Sequence, residues 1–298
     1  MKIALCFIIS YNHILNKEDI WKKWIEANKD IIHVYFFYKD LQKITSPWIL
    51  KHLVDPSYIQ ETSYFHVVPA YLSILKYAFH HSNENKWFCL LTESCCPIIS
   101  PKKFRKLFFA NYSFSIMSWT NAWWNINIQK RANLAMLPKL LHLANVPYFI
   151  LKREDVDYCL GFPHTNTSLF KVICDGGLAN ESLFAILFFM NKRLQFIKNK
   201  VTHLTDWSRM TSSTSPHLFI EGSVKDIQFI EKGLKKHTFA MFIRKISPEF
   251  PDTILNDFLY LRYKEDYHDY WFYIKYFFIF HLFLLFFFSF SLIHPFQS

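Results

Sequence analysis

Glu181 is the residue of this 298-residue chain whose surroundings most invite proton chemistry. The run Ala179-Asn180-Glu181-Ser182-Leu183-Phe184 reads as a loop that delivers one carboxylate to the start of a helix reaching Met190. A helix N-terminus favours the ionised carboxylate, while an apolar wall such as Leu183-Phe184 pushes its pKa upward. Such a group can serve as a general base, or it can merely open a helix that suits its charge. Upstream, Glu93-Ser94 ends the run Leu90-Leu91-Thr92 at the sheet edge where α/β enzymes bind ligands, and a turn or N-cap role for Ser94 is an equally simple reading. Arg244-Lys245 closes a late apolar run; in a continuing strand the two face opposite ways, so one alone would reach a substrate, and a solvated strand end is the alternative. Asp155 and Asp157 form Asp-x-Asp but stand at a helix start, where capping and solvent exposure explain them better than a metal does. Cys95 has no assignable His partner that would make it a nucleophile.

The elements that must carry these residues alternate. A strand over residues 3–9 precedes a helix that Asn16 can cap, with Glu18 and Asp19 in its first turn and Ile20, Trp21, Trp24 and Ile25 on one face. Residues 31–37 form a second strand, which completes a βαβ unit and predicts a parallel sheet. A helix over 69–80 and a strand over 87–91 follow. Further on, a helix opens at Pro101, strands fall at 113–119 and 148–151, and a short helix spans 155–160. Residues 181–190 form a helix buried on most sides, and 211–215 a Ser/Thr loop. A strand at 239–243 and a helix at 253–261 end the body. The expected architecture is a single α/β domain over residues 1–265, with a mainly parallel central sheet flanked by helices, and a hydrophobic tail over 266–298.

In that tail, residues 276–293 carry only His281, Ser289 and Ser291 as polar interruptions. As a helix the segment would be about 27 Å long, near the hydrocarbon thickness of a bilayer. Trp271 and Tyr273 suit an interface, and Lys275, Lys264 and Arg262 flank it, so a single-pass C-terminal anchor with a cytosolic body is expected, a lumenal body or a buried apolar helix being the alternatives. Residues 3–9 are too short for a signal-peptide core. The sequon Asn180-Glu-Ser would place a glycan beside the candidate base, which also favours the cytosolic face. A formal charge of +10 admits nucleic acid, a phosphate-bearing substrate or an anionic membrane as partner. The basic residues are scattered, and no zinc finger, basic zipper or RNP signature is present, so no nucleic-acid partner is expected. Six cysteines without a Cys-x-x-Cys pair read as thiols in a reducing compartment, Cys6 and Cys89 buried in strands.

Several short segments resemble one family. Residues 148–156, Tyr-Phe-Ile-Leu-Lys-Arg-Glu-Asp-Val, are similar to a strand ending in Arg-Glu with a following Val in the core-2/I-branching β-1,6-N-acetylglucosaminyltransferases. Residues 90–97, Leu-Leu-Thr-Glu-Ser-Cys-Cys-Pro, resemble the Leu-Leu-Ser-Glu-Ser-Cys-x-Pro of its plant-type branch. Ile20-Trp21-Lys22-Lys23-Trp24, Asp206-Trp207-Ser208 with Ser215-Pro216-His217, and Phe242-Ile243-Arg244-Lys245 match further segments of that branch.

The resemblance implies a GT-A-type fold and an inverting transfer of N-acetylglucosamine or a related sugar from a UDP-sugar to a hydroxyl of a glycan or glycoprotein. It implies no cofactor and no metal, basic side chains meeting the charge of the diphosphate. Glu181 stands at the family's catalytic base, with Asn180 where the family has Asp. Lys245 stands at its diphosphate-binding Lys, with Arg244 beside it, and Arg209 and His217 are the candidates for its second cation. Glu93, Ser94, Tyr148 and Trp207 are the candidates for contact with donor or acceptor sugar, the indole rings of Trp119, Trp123 and Trp124 being further stacking surfaces. The alternative is a membrane-tethered glycan-binding protein that has lost transfer.

Overall fold

The computed structural model describes residues 1–63, 65–212 and 214–261. The expected anchor at 276–293 lies outside the described residues, and no helix among those described is long and apolar enough to cross a membrane. In chain order the elements are β1 (Lys2–Ile8), α1 (Glu18–Glu26), β2 (Ile32–Phe37), α2 (Pro47–Leu50), α3 (Val68–His81), β3 (Asn85–Thr92) and β4 (Cys96–Pro97). Then come α4 (Pro101–Asn111), β5 (Trp119–Asn121), β6 (Leu143–Asn145), β7 (Ile150–Lys152), α5 (Arg153–Thr165), α6 (Thr167–Asp175) and α7 (Leu183–Met190). β8 (His203–Thr205), α8 (Val224–Lys236), β9 (Phe242–Arg244) and α9 (Asp252–Asn256) follow, and a π-helical turn over Asp257–Leu261 completes the described chain.

The central sheet has the order β2-β1-β3-β7. β1 runs parallel to both neighbours, Ile3 facing Ile32 on one side and Trp87 on the other, and β7 closes the edge antiparallel with Leu151 against Phe88. Both faces of this sheet are buried, which explains why its strands are unbroken apolar runs. Successive residues of β1 divide between two cores. Ile3, Leu5 and Phe7 pack with Trp21 and Trp24 of α1, Phe104 and Phe108 of α4 and Phe242 of β9, whereas Ala4, Cys6 and Ile8 pack with α3, α5 and α7. A small sheet of order β4-β9-β8 extends the first layer, β8 and β9 being parallel.

Local expectations and structure part company where a distant group intervenes. Asn16 does not cap α1: Lys17 precedes the helix in the left-handed conformation, and Asn16 Nδ2 instead donates to the Ile246 carbonyl at 2.7 Å. The expected strand at 113–119 is an irregular run in which Ile116 bridges both Ile150 and Lys198, with β5 starting only at Trp119. The short helix at 155–160 is the longer α5, and the late strand begins at Phe242. Glu181 is not the first residue of a helix. It closes a 3-10 turn, Ala179–Glu181, and α7 opens two residues later with no acidic residue in its first turn, so a helix dipole is not what sets its charge.

Candidate functional site

The carboxyl end of β3 and the end of β9 are tied together by backbone. Ser94 accepts from the Ile246 N–H at 2.8 Å, and Lys245 accepts from Phe219 N–H at 2.9 Å. This brings Glu93, which follows β3, against Arg244 and Lys245. Burial pushes the Glu93 carboxyl above its ordinary pKa, and the two cations pull it back. Lys245 is lowered by its own burial and by Arg244, and Glu93 opposes that. Both cations therefore share one electrostatic neighbourhood. The alternation expected for a continuing strand does not apply, because β9 stops at Arg244.

Arg244 is the centre of the group. It is 9 % exposed, its guanidinium carbon lies 4.0 Å from the centre of the Tyr148 ring, and its Nε has no hydrogen-bond partner among the described residues. No carboxylate among those residues forms an ion pair with it. A buried, unpaired guanidinium is costly and stands ready for an anion. Its charge acts on Glu93, on Tyr148, whose phenol burial pushes up to about 12, and on buried His203, which burial and then Arg244 hold far below the usual imidazole range. His203 is thus a neutral ring behind the site, 4.9 Å from Phe242 and 5.5 Å from Tyr148.

Glu181 approaches from the other side. Its side chain is 22 % exposed and accepts a hydrogen bond from Arg131 Nη1 at 2.8 Å. Burial raises its pKa; Arg131 and, more weakly, Arg244 lower it, and burial wins. Arg131 reaches this place through an unusual backbone contact. Ala132 donates to the Gly177 carbonyl at 2.9 Å, Ala132 and Asn133 are left-handed at φ 52° and 49°, and a Cβ on Gly176 would lie 2.4 Å from the Asn133 nitrogen. Only glycine permits that approach. Trp124 lies under the Arg131 guanidinium at 5.2 Å, and Trp123 meets Trp124 edge-on at 5.0 Å.

The structure thus gathers Glu93, Tyr148, Glu181, Arg244 and Lys245, and adds Arg131, which sequence reasoning missed. Ser94 contributes its backbone and a hydroxyl 3.4 Å from Thr92 Oγ1. Trp207, 54 % exposed, stands beyond β8. Arg209 and His217 face elsewhere: Arg209 bonds Asp206 at 2.6 Å and Asp226 at 2.8 Å, and His217 Nε2 lies 3.0 Å from Asp226. One terminal nitrogen of Arg209 is buried without a partner among the described residues. The reading of Asp155 as a solvated cap is corrected. Asp155 is 2 % exposed, bonded by Ser115 Oγ at 2.6 Å and by Arg193 at 2.8 and 3.0 Å, so its oxygens are already taken. Among the described residues no group of three or more His, Cys, Asp or Glu side chains is placed to hold a metal. Cys95 is buried and its thiol pKa is raised by that burial, which leaves it unreactive.

A family model described as Branch, Core-2/I-Branching enzyme, matches residues 31–231, a span that holds Glu93, Arg131, Tyr148 and Glu181 and stops short of Arg244 and Lys245. No curated protein matches the chain.

Proposed function

Because the chain belongs to the core-2/I-branching enzymes, a glycosyltransferase family, we propose that it transfers N-acetylglucosamine or a related sugar from a UDP-sugar to a hydroxyl of a glycan or glycoprotein, with inversion and without a metal, on a GT-A-type scaffold. The observation that carries this reading is a mostly buried carboxylate, Glu181, standing within the electrostatic reach of a buried guanidinium, Arg244, that has no ion-pair partner among the described residues.

In this mechanism Glu181 takes the proton of the acceptor hydroxyl as that oxygen attacks the anomeric carbon, and the bond to the diphosphate oxygen breaks on the opposite face. A raised pKa brings the carboxylate nearer the working pH and makes it a stronger base than a solvated glutamate. Arg131 holds Oε2, which fixes the carboxylate and leaves Oε1 for the acceptor. Arg244 and Lys245 meet the charge that develops on the departing diphosphate, whereas Arg209 and His217 are engaged by Asp206 and Asp226. Glu93, Ser94, Tyr148 and Trp207 form the sugar-facing rim.

A second reading, a glycan-binding protein without transfer, is favoured by Asn180 in place of the family's Asp and by the ion pair that occupies part of Glu181. Incubation with a panel of sugar nucleotides in the presence of a chelator separates the two. The transferase releases uridine diphosphate from one donor when an acceptor is present; release from none, or only with added manganese, overturns the mechanism. On the same reading residues 276–293 tether the protein to a membrane with its body in the cytosol, and protease protection of intact vesicles tests that placement.

A further inference from the structure

A second cationic site lies at the opposite end of the sheet. Lys152, the last residue of β7, pairs with Trp87 near the start of β3. Six residues of strand, about 20 Å, separate that level from Glu93. There a cleft of about 580 Å³ is lined by Phe114, Lys152, Arg193, Gln195, Phe196 and Lys198, among others. The cations are fixed by backbone and buried groups. Lys198 is held by hydrogen bonds of residues 115 and 117 to its main chain, Lys152 N–H donates to Ser115 Oγ at 2.9 Å, and Arg193 is anchored by buried Asp155.

Charge compensation here is incomplete. Lys152 pairs with Glu154 at 2.7 Å and Arg193 with Asp155 at 2.8 Å and with Glu154 at 3.7 Å, but Lys198 has only neutral company: Asn111 Oδ1 at 2.7 Å and the Phe114 and Phe239 rings at 4.0 and 5.3 Å. Among the described residues it forms no ion pair. Phe196, 61 % exposed, and Phe114 give the cleft apolar walls. Cations between exposed rings suit a ligand that joins a compact anion to an apolar or sugar face.

We propose that this cleft binds a phosphate or sulfate monoester carried on a sugar-sized body, Lys198 contributing the decisive charge-assisted hydrogen bond and Arg193 and Lys152 flanking it. The site is separate from the transfer site, so its fate does not depend on the proposed chemistry there.

Isothermal titration of the full chain with glucose 6-phosphate and with glucosamine 6-sulfate tests it. Binding is expected with at least one ester; Lys198→Gln should weaken it about tenfold, the loss of one hydrogen bond to a charged group. Lys245→Gln should leave binding unchanged, and Lys198→Gln should leave transfer activity unchanged. Co-sedimentation with phosphatidylinositol 4-phosphate vesicles distinguishes the sources: capture lost in Lys198→Gln with no soluble ester bound assigns the monoester to a lipid headgroup. If Lys198→Gln fails to fold, Lys152→Gln is expected to give a weaker loss in the same direction. Absence of binding to all three probes, or binding abolished by Lys245→Gln and indifferent to Lys198→Gln, overturns the proposal.

Discussion

Substituting Gly176 by Ala should disturb the candidate base without touching it. Gly176 sits at φ −83°, a conformation alanine adopts freely, so the substitution alone would stabilise the chain by about 0.4–1 kcal/mol through the unfolded state. The added Cβ, however, would lie 2.4, 2.7 and 2.8 Å from backbone atoms of Asn133 and Ala132. Carbon contacts settle near about 3.5 Å, so the 131–133 segment must retreat by about 1 Å, stretching the Ala132 to Gly177 hydrogen bond. Overpacking of that kind costs about 1–3 kcal/mol. The net loss is about 1–2 kcal/mol, or a fall in Tm of about 2–8 °C. Retreat of the segment also draws Arg131 from Glu181. Arg131 lowers the Glu181 pKa, so its withdrawal should move the acid limb of the kcat/KM profile to higher pH. Scanning calorimetry and initial rates across pH read both effects, and Arg131→Gln should shift the limb in the same direction. An unchanged Tm with an unmoved limb, or a limb displaced to lower pH, would refute the argument.

Other consequences concern charge and stability. Glu93 has a folded pKa above its unfolded value, so its contribution is fully present below the ordinary carboxylate range and is lost as pH rises through the folded pKa. Glu93→Gln should therefore be more stable than the parent at neutral pH, by about 1 kcal/mol, while sugar-nucleotide affinity drops; a less stable variant would contradict the sign. Asp226 behaves oppositely. Burial alone would raise its carboxyl, but hydrogen bonds from Arg209, Ser223 and His217 hold it below the usual range. Its contribution is present above the unfolded pKa and disappears as pH falls through the folded one. Asp226→Asn should lose about 1–3 kcal/mol at pH 7, because one amide oxygen cannot accept from Arg209, His217 and the Ser223 N–H as two carboxylate oxygens do, and denaturation curves of variant and parent should converge in acid.

Much of the scaffold was legible because its strands are buried on both faces. β1, β2 and β3 are apolar runs too short for buried helices, and the Ile20, Trp21, Trp24, Ile25 face of α1 repeats with helical period. Glu93 and Glu181 were readable as polar groups set in apolar surroundings. Arg131 was not: it stands 50 residues from Glu181 in the chain. Its arrival depends on two left-handed residues, Ala132 and Asn133, that propensity would not choose. Asp155 failed for a related reason, since a helix-start position says nothing of Arg193 and Ser115 arriving from other elements. Asn16 is a good cap by type, yet the Ile246 carbonyl claims its amide. Local rules break where one residue answers to groups far along the chain.

In the proposed mechanism the carboxylate of residue 181 removes the acceptor proton. Turnover of Glu181→Gln against the parent, measured as uridine diphosphate release with acceptor present and alongside donor binding and Tm, tests it most directly. Glu181→Gln is expected to lose about 10²–10⁴-fold in kcat with donor affinity and folding nearly intact. A variant that retains most of its turnover would contradict it.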